Sequence, residues 1–85
     1  MIETAEHRLK RLQMRSMRRG IKEMDLILSA YAAQKLGSMD LVALDRYESL
    51  LHENDQDLYQ WVTGQVAAPA TYGALIADIA QTFQK

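Results

Sequence analysis

Apolar residues recur along this chain at intervals of three and four. Nowhere do β-branched and aromatic residues alternate at period two, so the pattern predicts helices and no strands. The first helix spans about Thr4 to Met17, with Thr4 as cap and a thin stripe of Leu9, Leu12 and Ser16 that places it at the edge of the domain. Gly20 interrupts the pattern and predicts a junction, since glycine inside a helix costs roughly 1 kcal/mol relative to alanine. A second helix then runs to about Leu36, with Met24, Ile27, Leu28 and Tyr31 on one face, Glu23 and Asp25 in its first turn, and Gly37 as its stop.

The third helix starts at Asp40 as cap and ends near His52, with Leu41, Leu44, Tyr47 and Leu51 as its core side. Asp55 is read as the cap of a short fourth helix that buries Leu58, Trp61 and Val62 and stops at Gly64. Gln65–Ala70 holds the one proline, Pro69, and reads as a loop. Thr71 is the expected cap of a last helix whose face is Tyr72, Leu75, Ile76, Ile79 and Phe83. Short connections between helices imply an all-α, small compact five-helix bundle.

With 85 residues the chain has room for one domain that buries about 60–65% of its unfolded surface, too little for a deep substrate cavity. A hydrophobic share of 48% argues against global disorder. There is no cysteine, which excludes disulfide staples, thiolate zinc, iron–sulfur ligation and a cysteine nucleophile. No apolar run approaches the roughly 20 residues of a membrane span. No apolar signal region opens the chain, and Glu3 and Glu6 speak against a mitochondrial presequence, so the expected location is the cytoplasm of a bacterium.

The net charge of −1 conceals an asymmetry. The first 22 residues carry seven Lys and Arg against Glu3 and Glu6, whereas the rest carries Lys35, Arg46 and Lys85 against nine acids. A basic segment joined to an acidic body suggests a face that meets an acidic partner or nucleic acid.

The densest constellation is Arg18-Arg19-Gly20-Ile21-Lys22-Glu23-Met24-Asp25, which contains Arg-Gly-x-x-Glu. Three fixed positions recur often by chance, and Arg19 and Glu23, four apart, also fit a solvated helix pair worth a few tenths of a kcal/mol. In that reading Gly20 only breaks the helix. The docking reading rests on a bare glycine at a junction, which admits close backbone approach or positive φ, flanked by a cation and a carboxylate.

Downstream, Tyr47, Leu50-Leu51, Asp55, Asp57-Leu58, Tyr59 and Trp61 follow in order. Together with the motif, from about His7 to Trp61 and more loosely to Phe83, this resembles the succinate dehydrogenase flavinylation factor (FAD assembly factor) family. The resemblance implies a five-helix bundle, a single domain over 1–85, and no enzymatic activity of its own. It implies a chaperone-like factor that binds the flavoprotein subunit of succinate dehydrogenase, with fumarate reductase as a further client, and promotes covalent attachment of FAD to a histidine there. The family motif falls on Arg19, Gly20 and Glu23; with Arg18 and Asp25 these are the expected partner-binding residues. Flavinylation is then carried out by the flavoprotein itself, through a quinone-methide form of the flavin, and no FAD is held stably by this chain. The free protein is expected to be a monomer. Tyr47, Leu51, Leu58 and Trp61 read as core.

Other sites are weak. His7 and His52 stand far apart without metal-ligand spacing and read as surface residues. Asp55 and Asp57 fit a cap and first turn, and no phosphate loop or nucleophile triad is present. The alternative function is a nucleic-acid-binding or antitoxin-like interaction protein using the basic first helix. Against nucleic acid stand the lack of aromatics before Tyr31 and a pI of about 6.1.

Overall fold

The computed structural model describes residues 3–83; the outermost positions of the expected 1–85 domain, including Lys85, lie outside them. Five α-helices follow in order: α1 (Ala5–Arg15), α2 (Lys22–Lys35), α3 (Leu41–Leu50), α4 (Asp55–Val62) and α5 (Gly73–Phe83). No strand occurs among the described residues. The all-α five-helix expectation therefore holds. No helix of the described residues is long and apolar enough to cross a membrane.

The helix starts follow from local chemistry. Thr4 Oγ1 accepts from His7 N at 3.1 Å, and Asp40 Oδ1 accepts from Ala43 N at 2.8 Å, so both expected caps satisfy donors that have no partner inside the helix. The expected cap of α4 is one residue off. Asn54 is the cap and accepts from Gln56 N at 2.8 Å, which leaves the Asp55 carboxylate free for a tertiary role. Gly64, at φ 82, ends α4 in the left-handed conformation typical after a helix C-cap. Thr71 does not cap α5: it lies inside a 3₁₀ turn, Ala70–Tyr72, that leads into Gly73. The second helix likewise ends at Lys35 and passes through a 3₁₀ turn, Leu36–Ser38.

α2 is the central element and packs against α1, α4 and α5. Met24, Ile27, Leu28, Tyr31 and Ala32 are its buried side. Tyr47, Leu50, Leu51 and Leu58 complete the middle of the core, and Tyr72 from the turn before α5 and Ile76 and Ile79 from α5 close it. Several expected core positions differ. Leu41 is exposed because it stands at the first residue of α3, ahead of the buried arc Leu44–Tyr47–Leu50–Leu51. Phe83, the last residue of α5, is exposed too. Trp61 is only partly buried and stacks on Tyr72 with ring centroids 6.2 Å apart.

The edge helix is anchored by a small buried polar contact. Ser16 is fully buried, and its hydroxyl donates to Leu12 O at 2.8 Å. Since a serine hydroxyl has one hydrogen, the 2.6 Å contact with Tyr47 Oη must run from the tyrosine to Ser16. Burial pushes the Tyr47 phenol above its ordinary value, which keeps it protonated and able to donate. Tyr31 donates to Asp78 Oδ2 at 2.7 Å, linking α2 to α5, and burial raises its phenol as well.

Candidate functional site

The segment between α1 and α2 turns sharply without using glycine for the unusual torsion. Arg18 holds φ 55, a conformation that costs a non-glycine residue on the order of 1 kcal/mol or more. Of the two expectations for Gly20, positive φ or close approach, the first is not met: Gly20 lies outside the left-handed region. Its bareness serves close approach. A Cβ built on Gly20 would stand 3.1 Å from Asp55 Oδ2, and the Gly20 N–H donates to that same oxygen at 2.6 Å.

The other oxygen of Asp55 takes the motif arginine. Arg19 Nε donates to Asp55 Oδ1 at 2.8 Å, and Nη2 lies 2.8 Å from the same atom. Nη1 and Nη2 also donate to Arg15 O at 3.0 Å and Leu51 O at 3.1 Å. The side chains of Arg19 and Asp55 are only 10% and 16% exposed, so this guanidinium is committed inside the molecule. It ties the C-terminal end of α1, the turn after α3 and the first residue of α4 into one clamp. The Arg19–Glu23 helix pair does not form: Arg19 precedes α2 and pairs with Asp55.

The other expected partner-binding residues lie nearer the surface. Arg18, Gly20 and Glu23 are exposed, and Asp25 is half-buried. Asp25 Oδ1 accepts from Ser29 Oγ at 3.2 Å, one turn along α2. Met14, Met17 and Leu26, all exposed, flank this stretch in sequence and add apolar contact area to it. Glu23 lines a shallow groove of about 390 Å³ together with Ile21, Gln56, Tyr59, Gln60 and Gln65. The structure thus places Arg18, Gly20, Glu23 and Asp25 along one turn and the start of α2, and turns Arg19 inward beneath them. Sequence reasoning read Asp55 as a cap and assigned nothing to Gln56 or Gln60.

The basic first helix is partly neutralised within the chain. Arg8 pairs with Asp45 at 2.6 Å and with Glu48 at 3.0 Å, and Arg11 pairs with Glu48 at 2.9 Å and Glu3 at 2.7 Å. Hydrogen bonding to Arg11 holds the Glu48 and Glu3 carboxyls below the usual range, while the bond that Arg8 donates to Asp45 raises Arg8. Part of the sequence's charge split is therefore a contact between α1 and α3. This weakens the support for a nucleic-acid interface.

Comparisons with known proteins place the sequence in a family. Residues 10–83 match the family described as flavinator of succinate dehydrogenase. Relatives named mitochondrial succinate dehydrogenase assembly factor 2 include the Candida glabrata protein, 48% identical over 72% of this chain and 40% of its own length. The Schizosaccharomyces japonicus protein is 42% identical over 79% of this chain and 47% of its own. The Danio rerio protein is 34% identical over 98% of this chain and 54% of its own. The chain thus spans about half the length of the curated relatives it matches. Those relatives are named as mitochondrial, which overturns the expected bacterial cytoplasm. The acidic start was a poor guide to location because it belongs to the folded domain: Thr4 caps α1, and Glu3 is held by Arg11.

Proposed function

The chain belongs to the family of flavinators of succinate dehydrogenase, and on that premise we propose that it binds the flavoprotein subunit of that enzyme, in a mitochondrial setting, and promotes its covalent flavinylation without contributing a reacting group. The carrying observation is the match over residues 10–83, joined to an Arg-Gly-x-x-Glu stretch held at a surface turn. Arg18, Gly20, Glu23 and Asp25 form the docking surface. Arg19 acts from below: by holding Asp55, it fixes the backbone on which Gly20 and Glu23 are presented. FAD and the histidine that receives it stay with the flavoprotein. The flavoprotein of fumarate reductase is a second client of the same surface, and the free factor is a monomer.

The work asked of such a factor is modest. A partner that favours one conformer of the flavoprotein by about 2.7 kcal/mol raises its population relative to the alternative roughly 100-fold. Binding to an exposed turn is sufficient for that, and no cavity for a small substrate is required. Glu23 meets a cationic group of the flavoprotein in this reading, by a charge-assisted contact. The test is co-expression with the flavoprotein subunit, followed by in-gel flavin fluorescence. A folded Glu23→Ala variant should leave the subunit largely unlabelled; full labelling refutes the assignment of the motif.

A further inference from the structure

The first 22 residues hold five arginines, and all but one commit their guanidinium groups within the molecule. Arg8 and Arg11 bond carboxylates of α3 and Glu3. Arg15 Nη2 lies 3.3 Å from His52 Nδ1, and Arg19 holds Asp55. Arg18 is the exception. It is exposed, and among the described residues its side chain makes no hydrogen bond and no ion pair. It is also the residue that carries the strained torsion, φ 55. Glycine adopts that torsion freely, yet the glycine of this turn stands two residues later, outside the left-handed region. The fold therefore bears a backbone cost at Arg18 and recovers nothing through its side chain. Strain of this kind clusters at sites where the side chain on display has work to do.

We propose that Arg18 is the recognition arginine of the turn: its guanidinium pairs with the carboxylate of an aspartate or glutamate on the flavoprotein, while Arg19 supports the backbone from within. The inference rests on the docking reading above and gives one residue of that surface its chemical counterpart. A guanidinium is planar, always charged, and presents two parallel N–H groups that match the two oxygens of a carboxylate. The other bonded arginines of this segment show the same preference, since Arg8, Arg11 and Arg19 all take carboxylates. The contact is a single pair and not a field. Arg18 and Lys22 are balanced by Glu23 and Asp25 on the same stretch, and Arg19 by Asp55, so the turn exerts no net long-range pull on its client.

The test uses the full chain and the purified flavoprotein subunit of succinate dehydrogenase, both apo and loaded with FAD. In Arg18→Gly, relief of the torsion offsets the added freedom of the unfolded chain. This variant should melt no more than about 4 °C below the wild type, and should bind either form of the subunit about tenfold more weakly. Arg18→Lys keeps the charge without the fork and should recover part of the loss. Arg18→Glu should bind more weakly than Arg18→Gly. A photo-crosslinking residue in place of Arg18 should mark a segment of the subunit that holds an acidic residue, and reversing that residue to lysine should restore binding to Arg18→Glu. Wild-type affinity of Arg18→Gly, in an assay where Glu23→Ala loses binding, overturns the inference and leaves the docking turn standing. A larger fall in melting point overturns it too, because the guanidinium then serves the fold. A defect confined to the FAD-loaded subunit puts a flavin phosphate where the carboxylate is proposed, and failure of the charge reversal removes the pair; both count against it. If the unaltered chain does not bind the subunit, the proposed function fails first, and this inference with it.

Discussion

Asp55 accepts from the Gly20 N–H with one oxygen and from Arg19 with the other, so its replacement by alanine breaks two charge-assisted bonds at once. Bonds of this kind contribute about 1.5–3 kcal/mol each where shielded, and removing one partner of a buried pair costs about 3–5 kcal/mol. The side chains are 10% and 16% exposed, and Arg19 keeps two carbonyl acceptors. Both facts lower the cost, to about 2–4 kcal/mol. Loss of the carboxylate from the first turn of α4 adds a few tenths of a kcal/mol through the helix dipole. A domain of this size has on the order of 4–13 kcal/mol of stability, and each kcal/mol moves its melting point by roughly 4–8 °C. Asp55→Ala should therefore lower the melting point by roughly 8–30 °C. The assay is urea unfolding, followed by circular dichroism, of Asp55→Ala, Arg19→Met and the double variant. A clamp requires the two single costs to exceed the double cost by about 2 kcal/mol. Additivity within about 0.5 kcal/mol would refute it, and would make Asp55 only a helix-end charge.

The buried hydroxyl pair predicts an unequal effect of two deletions. Ser16→Ala leaves the buried Tyr47 donor without an acceptor and should cost about 1–3 kcal/mol. Tyr47→Phe leaves Ser16 still bonded to Leu12 O and should cost about 0.5–1.5 kcal/mol from the lost bond; equal or reversed costs by urea unfolding would contradict the assigned direction. Glu48 predicts an acid dependence. Its folded carboxyl lies below the ordinary value of 4.5, so on acidification the unfolded chain takes up the proton first. The stabilisation is fully present above about 4.5 and is lost as pH falls through the lower folded value. Glu48→Gln should thus cost up to about 1 kcal/mol at neutral pH and unfold with a shallower loss of stability between pH 5 and pH 3. An unchanged acid slope would remove Glu48 from that account.

Much of the fold was legible because caps and periodicity are local. Thr4 and Asp40 announced their helices by residue type alone, and the run Met24–Ile27–Leu28–Tyr31 showed the buried face of α2. Where two capping residues stand side by side, as at Asn54-Asp55, residue type does not choose between them. The choice is made by tertiary contact, since Asp55 is needed at Gly20. The same limit hid the role of Arg19. Its partner lies 36 positions away, beyond any helical spacing, so the nearer Glu23 looked like the natural counter-ion. For Gly20 the sequence left close approach and positive φ both open; the structure uses the first, while the unusual torsion falls on Arg18, two residues earlier. Leu41 and Phe83 fit the apolar period but sit at helix ends, where the neighbouring elements no longer cover them.

The bond from Gly20 to Asp55 spans 35 residues of sequence, and this has a bearing on quality control. A chain still emerging during synthesis, or one whose fourth helix has frayed, has the whole Arg-Gly-x-x-Glu stretch yet nothing to hold it in shape. On the proposed docking reading, recognition of the client is tied to completion of the fold: the turn takes its shape only once α4 brings Asp55 to Arg19 and Gly20. Opening of α4 alone, well short of global unfolding, should be enough to switch the surface off. Amide exchange at Gly20 would then report the fraction of molecules fit for duty.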